Sequence, residues 1–280
     1  MFIGRSEELG LLEKLYAKNS LNVVLVSGEY KIGKTALLQE FLQKKSAAYF
    51  AARNALSTVN LAAFCLELKE QGIWGPRNDL CNWDSVLNAL FFKATQQQLV
   101  LVVDDVQYLF DSAPEFFAAF DKYATKYKKQ LRLLVVLAGA PWAEMERFFL
   151  KNKALQIKKH INDIIKLGAM DYWEAQPFLE GFTEEEKLFL YGAAGGNPHY
   201  MSYLDAELSF KDNLKKLFFE PAAPLYKEPI QLLKLDLREP ATYNTILCSV
   251  ACGAGRLNEI AAAADMECNK VSKYLNVLLT

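Results

Sequence analysis

Residues 28–35 read Gly28-Glu29-Tyr30-Lys31-Ile32-Gly33-Lys34-Thr35. They fit G-x-x-x-x-G-K-[ST], the pattern of a loop that wraps phosphate oxygens in backbone N–H groups. The preceding Leu21-Asn-Val-Val-Leu-Val-Ser27 is an apolar run of strand length, and Ala36-Leu-Leu-Gln-Glu-Phe-Leu42 has helical spacing. Strand, glycine-bounded loop and helix start give the motif the context it needs, because the first N–H groups of a helix are unpaired donors. Gly28 and Gly33 stand where a side chain would block the close approach or the required backbone angles. Lys34 would bring its ammonium to the β- and γ-phosphates, and Thr35 would offer its hydroxyl to Mg²⁺. Residues Glu29, Tyr30, Lys31 and Ile32, with Ala36 at the helix start, complete the expected contact set for a nucleoside triphosphate. The alternative is a chance strand–turn–helix with an exposed Lys-Thr pair.

A second motif lies downstream. Leu99-Val-Leu-Val-Val-Asp-Asp105 is a continuous β-branched run of the kind that is buried on both faces of a parallel sheet. It ends in two carboxylates. In nucleoside triphosphatases the first acid at such a strand end holds the Mg²⁺ shell, which makes Asp104 the metal candidate beside Thr35. Asp105 would polarise the attacking water as general base, with Lys34 as the other catalytic candidate. The alternative is that two aspartates end a strand and cap the next helix.

Strand and helix patterns alternate through residue 170. Strands are expected at Val23–Ser27, Ala47–Ala51, Leu99–Val103, Leu131–Ala138 and within Ile157–Leu167, and helices at Trp83–Lys93 and Pro114–Lys128. This alternation implies an α/β fold, a parallel sheet covered on both faces, with binding at the carboxyl ends of its strands. From 171 to 220 the pattern is helical. Asp171–Leu179 and Thr183–Tyr191 are amphipathic, Thr183 with Glu186 forms a capping box, and Gly195-Gly-Asn-Pro198 is a break before a helix over His199–Leu208. Residues 221–237 read as a proline-bearing linker. Residues 238–280 hold three short helical patterns with helix-turn-helix spacing, and the last helix could enter a DNA groove through Asn269, Lys270, Ser272 and Lys273. Two lysines beside Asp265 and Glu267 make a weak phosphate-binding face, so an interaction or lid role for residues 257–280 stands beside DNA binding. The sequence stops where a winged version would begin its β-hairpin, as a truncated chain would.

The 280 residues are 52% hydrophobic and carry a net charge of −1, so the chain can bury a large core and is no nucleic-acid polycation. Five cysteines without a C-x-x-C pair suggest structural thiols in a reducing cytoplasm rather than a zinc site. The start lacks a secretion signal, and no apolar run reaches membrane-spanning length.

The chain resembles the archaeal-type ATPases of the STAND branch of AAA+ P-loop proteins. The resemblance is carried by Phe2-Ile-Gly-Arg-Ser-Glu-Glu-Leu9, Gly28–Thr35, Leu101-Val-Val-Asp-Asp-Val-Gln-Tyr-Leu109, Gly195-Gly-Asn-Pro-His-Tyr200 and Leu237-Arg-Glu-Pro240. It implies ATP as the ligand and a three-layer P-loop NTPase core followed by an all-α lid and a truncated winged helix. It also implies that Gly4 and Arg5 lie near the adenine and that Pro198 approaches the nucleotide from the lid. Read without it, Ser6 with Glu7 and Glu8 would cap a helix, and Gly196–Pro198 would be a plain helix break. Three departures point to binding with slow hydrolysis. Asp105 stands where the family carries a longer Glu, Ala138-Gly139-Ala140 offers no polar side chain, and Lys151-Asn-Lys153 holds no arginine. Arg5, Arg53, Arg147 and Arg238 are the arginines to watch for one that reaches a γ-phosphate. The resemblance thus implies a nucleotide-dependent switch, alone or with a protein partner or second copy. The rival is a DNA-binding regulator on a vestigial ATPase core.

Overall fold

The apolar runs become the strands of one parallel sheet. In a computed structural model, which describes residues 2–73 and 82–279, the strands are β1 (Asn22–Gly28), β2 (Ala47–Ala51), β3 (Leu99–Asp104), β4 (Leu133–Gly139) and β5 (Ile161–Leu167). Their order is β2-β3-β4-β1-β5, with every pairing parallel. Every residue of β3 and β4 is buried. Successive side chains alternate between faces. Val23, Leu25, Leu101, Val103, Val135 and Leu137 therefore enter one core, and Val24, Val26, Val100, Val102, Val136 and Ala138 enter the other.

The helices cover both faces. The first core is closed by α3 (Ser57–Glu70), α4 (Trp83–Gln96) and α5 (Pro114–Lys126), through Phe64, Phe91, Phe116 and Phe120 among others. The second is closed by α1 (Ser6–Ala17) and α2 (Lys34–Leu42), which bury Leu12, Leu15, Leu37, Leu38 and Phe41. Helix α3 went unread in the sequence, although Leu61, Phe64, Cys65 and Leu68 recur at the spacing of one helix face. Ser6 is not the cap of α1. The residue before the helix is Arg5, in left-handed conformation (φ 62), with no side-chain cap bond.

After β4 comes the short α6 (Trp142–Met145), and after β5 come α7 (Tyr172–Ala175), α8 (Glu184–Ala194) and α9 (Pro198–Met201). Pro177 lacks an N–H, and the chain beyond α7 tightens to a 3₁₀ turn over Gln176–Leu179. The capping box at Thr183 and Glu186 forms, and α8 ends on left-handed Gly195. The helix expected over His199–Leu208 stops at Met201. Residues 203–209 instead form turns held by the Asn213 side chain, which pairs with the N–H of Asp205 and the carbonyls of Asp205 and Leu208.

The chain divides into two compact units, Met1–Ser202 and Tyr203–Thr280. The second holds α10 (Phe210–Leu214), α11 (Glu228–Asp236), α12 (Pro240–Ala251), α13 (Leu257–Ala263) and α14 (Cys268–Leu278). Half of the stretch read as a linker is thus the helix α11. The last three helices share a small core of Ile246, Ile260, Ala261 and Val271. Cys65 is disulfide-bonded, contrary to the expected free thiols, whereas Cys248, Cys252 and Cys268 are free; Cys81 lies outside the described residues. No described helix is long and apolar enough to cross a membrane.

Candidate nucleotide site

The loop after β1 reaches α2 in a few residues because its backbone takes conformations that ordinary turns avoid. Lys31 (φ 63) and Gly33 (φ 96) are both left-handed. Such alternation turns successive N–H groups toward a common centre. Gly28 answers a different need. A Cβ there would lie 2.7 Å from the Leu167 carbonyl oxygen and 2.8 Å from Ile32 Cγ2, so glycine lets the end of β1 lie against the end of β5. Helix α2 is anchored by Leu37, Leu38 and Phe41, each burial worth about 1.5–3 kcal/mol.

A cleft of about 560 Å³ opens over these strand ends. One wall is the loop and helix start, Tyr30 through Ala36; Asp104 and Asp105 close its base. The rest of the lining is mostly apolar, with Phe2, Ile3, Met170, Phe178 and Pro198. Lys34 donates to the carbonyl oxygens of Gly28 (2.9 Å) and Glu29 (2.8 Å). Burial pushes its pKa down, against the pull of Asp104, Asp105 and Glu29.

Asp104 is buried and accepts three hydrogen bonds. Its Oδ2 accepts from the Thr35 hydroxyl at 2.8 Å and from the Tyr49 hydroxyl at 2.5 Å, and its Oδ1 accepts from the Asp105 N–H at 3.0 Å. Burial, then the bond to Asp104, drives the Tyr49 pKa well above the ordinary tyrosine value. Asp105 is half-buried and left-handed (φ 53), and its carboxyl accepts from Gln107 Nε2 at 3.1 Å. Burial raises its pKa and Asp104 adds to the rise, while Gln107 and Lys34 oppose it.

Most of the residues expected from sequence converge here. Arg5, Tyr30, Lys31, Ile32, Gly33, Lys34, Thr35, Ala36, Asp104, Asp105 and Pro198 all line the cleft. Gly28 and Glu29 do not line it and contribute carbonyls to Lys34 instead. Gly4 (φ 70) also stands back, beneath Met170, whose Cε would lie 3.2 Å from a Cβ at that position. The Arg5 guanidinium is a structural tie. It donates to the Gly168 carbonyl at 2.5 Å and to the Ile32 carbonyl at 3.4 Å, and it pairs with Glu8 at 3.3 Å. Pro198 reaches the loop, its Cγ 3.5 Å from where a Gly33 Cβ would stand. The glycines before Pro198 hold it there. Gly196 (φ 68) accepts from the Met170 N–H at 2.9 Å and packs so closely that a Cβ would meet the Met170 carbonyl oxygen at 2.3 Å. Of the other arginines considered, Arg53 and Arg147 are exposed and line no part of the cleft, and Arg238 belongs to the second unit.

Sequence reasoning missed Phe2, Met170, Phe178, His199 and Ser202 on the cleft wall, and Tyr49 and Gln107 behind the acids. Tyr49 was findable only from strand pairing, since Ala51 is the register partner of Asp104.

A parallel sheet with a glycine-bounded loop between an interior strand and a helix, and an acid-tipped strand two positions away, defines a P-loop NTPase fold. The family described as an ATPase domain predominantly from Archaea matches residues 2–204, and the chain belongs to it. An uncharacterized protein of Methanocaldococcus jannaschii is 23% identical over 279 residues, covering 100% of this chain and 61% of that protein, so this chain spans about three fifths of its relative. Among solved structures, a Walker-type ATPase of Pyrococcus abyssi superposes with a TM-score of 0.68 at 18% identity, covering 93% of this chain and 83% of that one. The ORC2 protein of Aeropyrum pernix, solved as ADPNP–ADP complexes, gives a TM-score of 0.69 at 14% identity, covering 99% of this chain and 87% of that one. At these identities the two structures share the fold with this chain.

Proposed function

We propose that this chain binds ATP with Mg²⁺ in the cleft between the phosphate loop and Pro198, hydrolyses it slowly, and uses occupancy of the cleft as a switch. The observation that carries the reading is the pairing of Thr35 Oγ1 with Asp104 Oδ2 at 2.8 Å, with Lys34 on the same cleft. A hydroxyl and a carboxylate at hydrogen-bond distance are the hard oxygen donors that suit Mg²⁺. When bound, the ion would neutralise charge on the phosphates; Thr35 and Asp104 are the residues that would hold it. Phe2, Ile3, Met170 and Phe178 form the apolar surface that a purine base needs. The nucleotide complexes of the Aeropyrum ORC2 protein support a nucleotide on this fold.

Slow turnover follows from what surrounds Asp105. Its carboxyl is on a short side chain, the end of β4 brings no polar side chain of its own, and among the described residues the one arginine on the cleft is committed to backbone carbonyls and Glu8. An arginine at the γ-phosphate contributes about 10³–10⁵ in rate where present. The switch reading rests on Pro198. A ligand that touches both the phosphate loop and the Gly195–Pro198 segment biases any equilibrium in which that segment moves, by its difference in affinity between the two states.

Titration calorimetry with MgATP tests the site. The unmodified chain should bind and Lys34→Ala should not; equal affinity in the two proteins refutes the assignment. Steady-state turnover should fall below about 1 s⁻¹, the low end of common enzyme rates.

A further inference from the structure

The end of β4 offers no polar side chain of its own, yet a polar group reaches it from elsewhere. Gln107 lies on the 3₁₀ turn Val106–Leu109 that follows β3. Its Nε2 donates to Asp105 Oδ1 at 3.1 Å, and its Oε1 accepts from the Ala140 N–H at 3.3 Å. The amide thus bridges the acid that follows β3 to the backbone that follows β4. Gly139 makes the room for it, because a Cβ at that position would stand 2.6 Å from Gln107 Oε1. Among the described residues, Gln107 is the one side chain hydrogen-bonded to the Asp105 carboxyl. Asp105 has left the strand conformation (φ 53), so strand geometry does not aim its carboxyl.

We propose that Gln107 is a positioning residue for hydrolysis: its amide aims the Asp105 carboxyl into the cleft, and Gly139 is side-chain-free so that the amide can span from β3 to β4. This rests on the reading of Asp105 as the group that polarises water. An amide is suited to the task because it donates at one end and accepts at the other. Glutamate would keep the acceptor for Ala140 and lose the donor to Asp105. Leucine would lose both.

The test measures MgATP affinity, with a non-hydrolysable analogue, and single-turnover rate in the full chain. General-base catalysis contributes about 10²–10⁴ in rate, so a carboxyl that has lost its aim should cost tenfold or more. Gln107→Glu and Gln107→Leu should both lower the rate at least that far while analogue affinity stays within about threefold, because neither change touches the phosphate loop. A Cβ at Gly139 would also stand 2.8 Å from Met145 Sδ, so Gly139→Ala can cost stability as well; in rate it should give a similar loss, and adding it to Gln107→Leu should cost little more rate, since both changes displace the same amide. If Gly139→Ala fails to fold, Gln107→Glu decides alone. A Gln107→Glu protein that turns over at the unmodified rate overturns the inference, as does a rate loss matched by an equal loss of affinity. An unmodified chain that binds nucleotide and never hydrolyses it overturns the inference and leaves the binding reading intact. An unmodified chain that does not bind nucleotide overturns the reading on which both stand.

Discussion

Gly195 and Gly196 offer a controlled comparison, because both are left-handed but only one is crowded. Gly195 (φ 61) has nothing within 4 Å of where a Cβ would stand, whereas at Gly196 (φ 68) the Met170 carbonyl oxygen would be 2.3 Å away. Alanine in left-handed conformation costs about 1–2 kcal/mol, and both variants bear this. Gly196→Ala bears more. An ordinary carbon–oxygen contact is about 3.3 Å, so the backbone must yield by about 1 Å. Such overpacking costs about 1–3 kcal/mol. The movement also pulls on the Met170 N–H bond to the Gly196 carbonyl (2.9 Å) and on the Tyr191 hydroxyl bond to the Met170 carbonyl (2.9 Å). Losing one of these adds about 1 kcal/mol. Gly196→Ala should therefore be less stable than Gly195→Ala by about 2–4 kcal/mol. All four tryptophans lie within residues 1–202, so urea unfolding followed by tryptophan fluorescence reports on the unit that contains the change. Gly196→Ala should also weaken MgATP binding, because the shift carries Pro198 away from the loop, while Gly195→Ala should not. Equal losses of stability in the two variants would show that the segment relaxes freely and that the close approach to Met170 positions nothing.

Three further outcomes are expected. Tyr49→Phe deletes a hydrogen bond to buried Asp104 and should cost about 1.5–3 kcal/mol in denaturant unfolding, the range for bonds to charged groups; in the unmodified chain the Tyr49 phenol should resist ionisation in an ultraviolet titration to higher pH than the exposed tyrosines. His160 is held below its ordinary pKa of 6.5, first by burial and then by Lys128 and Lys159. The unfolded chain then binds the extra proton more readily, so stability is undiminished by His160 above pH 6.5 and falls as the pH drops toward the folded value; His160→Gln should flatten that acid-side slope in thermal melts at fixed ionic strength, and an unchanged slope would refute the assignment. On α14, Asn269, Lys270 and Lys273 are exposed, so if this helix meets DNA, Lys270→Ala and Lys273→Ala should each reduce the salt dependence of binding by about one unit of slope; no measurable DNA affinity at low salt would leave α14 without that role.

The sheet was legible because it is buried on both faces. Continuous apolar runs at 23–26, 99–103 and 133–138 read most simply as buried strands in a chain that also carries helical periodicity between them. The phosphate loop was legible because its requirement is local: glycines, a lysine and a threonine at fixed spacing on one connection. What escaped depends on distance in sequence. Tyr49 meets Asp104 across 55 positions, and the pair is set by the register of β2 on β3, which no local pattern announces. Met170 and Phe178 join Phe2 and Ile3 only because the chain after β5 returns over the strand ends. Arg5 lines the cleft as its motif implies, but its bonds to the Ile32 and Gly168 carbonyls, which tie the loop to the end of β5, could not be read from the motif. Helix length failed where side chains competed for the backbone, as at residues 203–209, where Asn213 satisfies groups that a helix would have paired.

The wiring of the two acids separates holding a nucleotide from cleaving it. A carboxylate offers about four acceptor directions. Asp104 Oδ2 accepts from Thr35 and Tyr49, and Oδ1 accepts from the Asp105 N–H, so one direction is left. Thr35 uses its single proton on Asp104 and keeps its lone pairs for a cation. If Mg²⁺ binds as proposed, Thr35 and Asp104 are the residues that would hold it, Thr35 through its hydroxyl oxygen and Asp104 by fixing that hydroxyl and through its remaining acceptor direction. Lys34 now rests on two carbonyl oxygens, and trading them for anionic phosphate oxygens replaces neutral acceptors with charged ones, which form bonds roughly twice as strong. Binding on the proposed reading would thus draw on groups that are already held in place and gain by the exchange. Hydrolysis, on the proposed reading, would instead depend on Asp105, whose backbone is left-handed and whose carboxyl is steadied, among the described residues, by one side-chain amide at 3.1 Å. A site built this way should bind its nucleotide firmly and turn it over slowly.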